Sequence, residues 1–540
     1  MTPDRTRPLR QRALAAALAL ALAFSGSAPV MAQVRLPALG ESANEDLSVS
    51  AERRIGLEIM REARRDPALL DDAVLQAYLE SLWQPLVAAA RERGDIGPDT
   101  DEAFAWEIFL VQDRSVNAFA LPGGFVGVHL GLIALTTTRD QLASVLAHEL
   151  AHVTQRHIAR SVAVSQRSAM VSVASVLLAI LAAGRSGNTD TVNAAIATGQ
   201  AAAVQGQLNF SRQMEREADR IGYQLLGAAG FDVTGMGDMF QRMAEATRLT
   251  DSNAFPYLRT HPLTVERLSE ARSRTLLPAA DTGGAAVPPL LHALMQARAR
   301  LLMDKSAAGL QRLNGETSSP EPADRVAAAY AGALSASLRG QHDRAAALLE
   351  QARREAATSA PDEASALRLL ALTQASLDLA RGAPQAALAR LQTLPADAGA
   401  PLLRRPALLL DGEAAVALHH REPAAAAGPL REAASALQTW LADHPRDASA
   451  WQALAEVQEA LGQRARALRA AAEARAALSD LTGAIDRLRV AQQVLRDETP
   501  GDFIEASVVD ARLRALTAER RQLAMELRAR GGPGAEPPPQ

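Results

Sequence analysis

"LAHELAHVTQRH", residues Leu146–His157, sets two histidines four positions apart with a glutamate directly after the first. On an α-helix a four-residue step returns to within about 40° of the same face, so the imidazoles of His148 and His152 can reach one metal ion. Glu149, about 100° round from His148, can touch a water held beside that ion without being a ligand itself. Two neutral nitrogen donors and a carboxylate base are what H-E-x-x-H chemistry requires, with one zinc ion per chain as the expected cofactor. Three fixed positions also arise by chance in a chain of 540 residues, so the reading depends on a third ligand.

"MEREADR" (Met214–Arg220) supplies one, because Glu215 and Asp219 are again four apart on one helix face. Glu215 can complete a His₂Glu set, and Asp219 can accept the free N–H of a metal-bound histidine and so fix its tautomer. The alternative is a solvated helix face in which Arg212, Arg216 and Arg220 pair with the acids. Beside the histidine helix, the ligand reading is the stronger. Two further histidines carry no such argument. His157, five residues past His152, falls off the metal face of a continuous helix, and His129 sits in a β-prone run.

Working outward, Thr138 and Gln141 have the spacing of a capping box, and Leu142, Leu146, Leu150 and Val153 form the buried stripe of the helix they start. Upstream, "AWEIFLVQD" (Ala105–Asp113) and "FVGVHLGLIAL" (Phe125–Leu135) are β-prone, separated by "NAFALPGG", whose Pro122, Gly123 and Gly124 mark a turn. A small sheet therefore precedes the helix. Between Ala51 and Arg93, apolar positions such as Ile55, Ile59 and Met60, then Leu69, Val74, Leu75, Tyr78 and Leu79, predict two helices. These elements give a first domain over 51–277.

The chain opens with Arg5, Arg7, Arg10 and Arg12, an apolar run from Ala13 to Phe24, and an A-x-A-like site at Val30 and Ala32. This reads as a secretory signal peptide over 1–32, followed by an extended segment over 33–50. In a Gram-negative host that puts the mature protein in the periplasm. The absence of cysteine excludes disulfides and a lipidated N-terminal Cys. A formal charge of −4 with no basic stripe argues against nucleic acid as a partner. The fifteen-residue run Ala169–Ala183 is short for a membrane span. A buried helix or a lid with peripheral membrane contact is expected there, with a membrane-spanning helix as the alternative.

Past "PAADTGGAAVPP", a linker over 278–289, the composition shifts to alanine-rich helices with internal similarity. Gly340, Gly382 and Gly462 each precede an alanine by five residues, and the intervals of 42 and 80 residues fit one and two periods of about forty. "AWQALAEVQEALGQRARAL" (Ala450–Leu468) resembles a tetratricopeptide repeat. We expect a helical repeat domain over 290–495, a C-terminal helix over 496–530 and a disordered tail over 531–540.

"HELAH", the E-x-x-x-D of "SRQMEREADRIGYQLL" (Ser211–Leu226), the upstream "NAFALPGGFVGVHLGLI" and the downstream "RTHPLTVERL" (Arg259–Leu268) together resemble the zinc peptidase family that includes HtpX and the CAAX prenyl proteases. The likeness is strong over Glu52–Arg272, and the repeats liken the chain to periplasmic, repeat-bearing members. The implied fold is mainly α: a zincin-type α+β metalloprotease domain with a small sheet, followed by an α-solenoid of tetratricopeptide-like hairpins. The resemblance implies His148, His152 and Glu215 as zinc ligands and Glu149 as general base and acid. It also implies that Gly124–Leu130 is an edge strand on which an extended substrate pairs. Gly124, Phe125 and Val126 would then contact substrate, as would Asn117 and Phe119; a structural turn and strand is the alternative. For His261 three roles stay open: a fourth ligand that holds the enzyme latent, a transition-state hydrogen-bond donor, or a plain loop histidine.

The expected function is a periplasmic zinc endopeptidase acting on unfolded or misassembled outer-membrane proteins. Its repeats would dock a partner, by resemblance the outer-membrane β-barrel assembly machinery. The competing expectation is a chaperone-like scaffold for β-barrel assembly with weak or latent proteolysis.

Overall fold

The computed structural model describes residues 47–164, 212–249, 254–275, 289–360, 363–394, 401–497 and 501–529. The signal peptide, the run 169–183, nearly all of the linker and the tail lie outside them. Among the described residues no helix is long and apolar enough to cross a membrane.

The first part of the chain runs α1 (Val49–Ala63), β1 (Leu69–Leu70), α2 (Ala73–Glu92), α3 (Pro98–Ala103), β2 (Glu107–Val111), β3 (Ala118–Leu121), β4 (Phe125–His129), α4 (Leu130–Leu135), α5 (Arg139–Thr154) and α6 (His157–Val164). After residue 211 come α7 (Arg212–Ala228), α8 (Thr234–Leu249), α9 (Pro256–Thr260) and α10 (Val265–Thr275). The strands form one sheet in the order β1-β2-β4-β3, with β2 and β4 parallel and both outer pairings antiparallel.

Three sequence expectations are corrected here. "NAFAL" is a strand rather than part of a turn, because its alternating side chains pair in register with β4, Ala118 opposite Val128 and Leu121 opposite Phe125. Leu69 belongs to a two-residue strand on β2, not to the following helix, whose N-cap is Asp72. Most consequentially, Phe125–His129 is not an edge strand. It has a strand on each side, so its backbone groups are spent within the sheet, and the edge on that side is β3.

Thr138 caps α5 as the spacing predicts, its hydroxyl accepting from the Gln141 backbone N–H at 3.2 Å. The reciprocal bond is displaced by one residue: Gln141 Oε1 accepts from the Thr137 N–H at 2.8 Å. The stripe Leu142, Leu146, Leu150 and Val153 is buried, but so is every other residue from Gln141 to Val153. This is the central helix of the domain. The sheet, α2, α7 and α8 pack around it, which explains why even its polar residues Gln141, Ser144, His148 and His152 are buried.

The second part comprises α11 (Pro289–Met303), α12 (Ala307–Arg312), α13 (Pro322–Leu338), α14 (His342–Ser359), α15 (Ala364–Ala380), α16 (Pro384–Thr393), α17 (Arg404–Arg421), α18 (Pro423–Asp443), α19 (Ala448–Ala460), α20 (Arg464–Ala477), α21 (Leu481–Asp497) and α22 (Phe503–Ala529). Gly340, Gly382 and Gly462 all have positive φ and end the first helix of a hairpin. Each makes the same pair of bonds, for example Gly340 N–H to Ser337 O at 2.9 Å and Gln341 N–H to Ala336 O at 2.8 Å. A left-handed residue closing a helix in this way favours glycine, which is why glycine recurs at that point of the repeat. Ala345, Ala387 and Ala467 are buried where the second helix packs on the first.

The helical array meets the first part at two places. In α11, His292 donates from Nε2 to the Thr136 carbonyl at 3.1 Å, and Tyr78 of α2 donates to its Nδ1 at 2.7 Å. Arg298 forks onto Asp72 at 2.8 Å through both Nε and Nη2. Further on, α17 also packs on α2, and Arg405 bridges Asp447 of the array to Asp71.

Candidate metal centre

Because α5 is helical through the motif, His148 and His152 lie one turn apart, their Nε2 atoms 3.0 Å from each other. The third donor arrives on α7, which can come close because Gly222 faces α5. A Cβ there would stand only 3.1 Å from the His148 backbone N and 3.2 Å from Ala147 O. Glu215, two turns earlier on the same face, puts Oε2 3.5 Å from His148 Nε2 and Oε1 3.5 Å from His152 Nε2. His261, at the end of α9, puts Nδ1 3.3 Å from His148 Nε2 and 3.0 Å from Glu215 Oε1. One ligand atom from each of these four buried residues lies within 4.8 Å of the others.

The donor chemistry fits a cation. Three imidazole nitrogens and a carboxylate oxygen gathered in one buried site form a donor set that a shared cation can satisfy. The carboxylate is ready for that role. Burial alone would push Glu215 up, but His261, His148 and His152 hold it well below the ordinary range. Burial and the neighbouring His148 drive His152 well below its usual value, which leaves it neutral. Neither oxygen of the fully buried Glu149 has a hydrogen-bond partner among the described residues, and His261 Nε2 stands 3.6 Å from its Oε1, so the carboxylate lies beside the cluster without a hydrogen bond.

The outer contacts follow the sequence in one respect and exceed it in two. Asp219 sits 3.0 Å from His148 Nδ1, where the four-residue spacing predicts it. It is in turn gripped by Arg267, a residue sequence reasoning missed. Arg267 bonds Asp219 through Nε at 2.6 Å and Nη2 at 2.8 Å, and reaches Glu215 Oε2 through Nη1 at 2.9 Å. The available signal was its place in "RTHPLTVERL", six residues after His261. The second omission is His157, which reaches His152 itself at 2.9 Å, Nδ1 to Nδ1. His129, by contrast, is remote from the cluster's bonds and contacts Ser115 and Asp113.

The expected groove residues divide. Phe119 and Phe125 point to the α1 side of the sheet, in a cluster with Ile59, Met60 and Phe109, because side chains alternate along a strand. Val126 is wholly buried in the central strand, and Gly124 packs against Phe104 and Trp106. Gly124, Phe125 and Val126 are core positions, whereas Phe119 stays partly exposed on the edge strand. Asn117, also buried, gives its carbonyl to the His129 N–H at 3.1 Å, which sets the register of β3. Since Asn117 and its alternate neighbours bond to β4, Ala118 and Ala120 turn their N–H and C=O outward along the edge. Val116, of the same parity, is already engaged there: its N–H donates to Ala254 O at 2.9 Å and its carbonyl accepts from the Tyr257 N–H at 3.3 Å. The segment that pairs with it leads into His261, whose ring stacks on Tyr257 with centroids 4.7 Å apart.

Comparison with known proteins agrees with this geometry. Residues 76–275 match peptidase family M48. The chain is 32% identical over 472 residues to the beta-barrel assembly-enhancing protease of Yersinia pestis, covering 85% of this chain and 87% of that one. To the Escherichia coli K12 protein of that name it is 36% identical over 263 residues, 48% of this chain and 52% of that one. To a putative one from Vibrio cholerae it is 38% identical over 252 residues, 46% of this chain and 49% of that one. The aligned region thus spans about half the length of these last two relatives. To the mitochondrial metalloendopeptidase OMA1 of Schizosaccharomyces pombe the chain is 34% identical over 165 residues, 30% of this chain and 44% of that one. With the family match falling on the histidine helix and the Yersinia likeness running through the repeats, this chain belongs to peptidase family M48, the metallopeptidases.

Proposed function

We propose that this chain is a zinc endopeptidase of the periplasm that cleaves unfolded or misassembled outer-membrane polypeptides. The observation that carries the reading is the convergence of His148, His152 and Glu215 beside the unsatisfied carboxylate of Glu149. Zinc, when bound by those three side chains, supplies Lewis-acid polarisation of a carbonyl and of a water molecule. Glu149 takes the proton of the attacking water and returns it to the leaving amine. Asp219 and Arg267 hold His148 and Glu215 in place from behind. An extended substrate adds to β3 through the outward backbone groups of Ala118 and Ala120. Folded proteins cannot offer such a strand, and this would confine cleavage to unfolded chain.

His261 acts in this reading as a fourth donor that keeps the enzyme latent. Its Nδ1 stands among the ligand atoms, and the segment before it occupies the edge at Val116. The relatives' printed names support β-barrel assembly as the setting. The repeats would dock the assembly machinery, and the N-terminal signal peptide would deliver the chain to the periplasm.

The test is Glu149→Gln in the full chain. It should retain zinc and lose cleavage of an unfolded protein by about three orders of magnitude or more. Undiminished cleavage would overturn the mechanism. If that variant still restores outer-membrane assembly in cells lacking the protein, scaffolding rather than proteolysis is the main activity.

A further inference from the structure

We propose that His157 is the positioning residue for His152, the middle member of a relay that runs from His152 through His157 to Glu217. The proposal rests on the reading of His148, His152 and Glu215 as zinc ligands.

On a continuous helix His157 would lie about 140° round from His152 and could not touch it. The helix does not continue. α5 ends at Thr154, Arg156 adopts a left-handed φ of 50°, and α6 begins at His157. That conformation is costly for a residue with a Cβ and persists only where the surroundings enforce it. Here the Arg156 side chain is buried and fastened. Nε donates to Glu52 Oε2 at 3.0 Å and Nη2 to the Leu47 carbonyl at 2.6 Å. The reversal turns the next side chain back, and His157 Nδ1 comes to rest 2.9 Å from His152 Nδ1.

Only one proton arrangement suits this contact. His152 directs Nε2 at the ligand cluster, so a cation there takes that lone pair and leaves the ring proton on Nδ1. His152 Nδ1–H therefore donates to His157 Nδ1. The remaining proton of His157 sits on Nε2 and donates to Glu217 Oε2 at 3.1 Å. Arg160 Nη1 holds that carboxylate at 2.9 Å. The two histidine ligands are thus oriented by different devices: Asp219 stands directly on His148, whereas His152 meets its carboxylate through a second imidazole. His157 is fully buried and both its ring nitrogens are engaged, so the ring has one fixed setting. Outer partners of this kind are worth about 10–100-fold in metal affinity.

The experiment uses the full chain stripped of metal, with zinc titrated in competition with a chromophoric chelator and the His152 tautomer read by ¹⁵N NMR. His157→Ala should bind zinc about 10–100-fold more weakly and lose the single Nδ1–H tautomer of His152. His157→Asn, whose Oδ1 can accept where Nδ1 did, should recover most of the affinity. Glu217→Gln should show a smaller loss. If His157→Ala folds without metal and binds zinc as tightly as wild type with the same tautomer, His157 is a packing residue and the relay is wrong. Should His157→Ala not fold, wild-type affinity in Glu217→Gln together with no difference between His157→Asn and His157→Gln would also overturn it. A wild-type chain that fails to bind zinc would sink the ligand assignment itself, and the relay with it.

Discussion

Arg267 and Asp219 form a two-pronged pair inside the protein, Nε to Oδ2 at 2.6 Å and Nη2 to Oδ1 at 2.8 Å, with both side chains almost wholly buried. The same guanidinium reaches Glu215, so one cation from α10 balances two carboxylates from α7. Removing one partner of a buried pair strands the other charge, which costs about 3–5 kcal/mol. Arg267→Leu should lose stability of that order in the metal-free chain, read by urea denaturation. Zinc should restore part of it by neutralising Glu215, so the deficit is expected to be smaller in the loaded protein.

His261 closes the donor set from outside the helix pair. If it holds the enzyme latent, His261→Ala should raise basal cleavage of an unfolded substrate several-fold with zinc content unchanged. A lower rate would assign it to transition-state stabilisation instead.

The outward backbone of β3 gives a separate handle on substrate binding. Ala120 faces Val126 without exchanging ladder bonds, so its N–H points away from the sheet. Proline at such an edge position removes that donor and leaves the pairing with β4 intact. Ala120→Pro should therefore raise KM for an extended peptide while zinc affinity stays at the wild-type level. An unchanged KM would rule out strand addition at this position.

His292 joins the helical array to the first domain and is kept neutral there, its pKa pushed down to about 4 by burial. In the unfolded chain it takes up a proton near pH 6.5, so between about 6.5 and 4 the unfolded state binds more protons than the native one. Stability should fall with pH across that window, by on the order of 3 kcal/mol from this group. His292→Gln does not titrate. The difference between its urea stability and that of wild type should shrink steadily as the pH is lowered through the window.

Much of the centre is legible in sequence because it depends on helical periodicity. His148 with His152, and Glu215 with Asp219, are four-residue pairs, and a helix places such pairs on one face wherever it packs. The repeat glycines are equally local, since a left-handed helix end favours that residue type. His157 escaped the same logic because Arg156 breaks the helix between it and His152, and that break is held by Glu52 and Leu47, about a hundred residues earlier. Phe125 is a core residue rather than a groove residue for a related reason. Alternation says that neighbours in a strand face opposite ways, but not which way is the groove.

The sequence by itself determined two helices able to carry metal ligands, a small sheet before them and a repeating array of helical hairpins after them, because each follows from the period and punctuation of its own segment. Tertiary structure decided which strand is the edge, which arginine balances the buried carboxylates and how His261 meets the cluster. Those outcomes depend on strand order, on the close approach of α5 and α7 at Gly222, and on a loop that returns to Val116. None of them is a property of residues near one another in the chain.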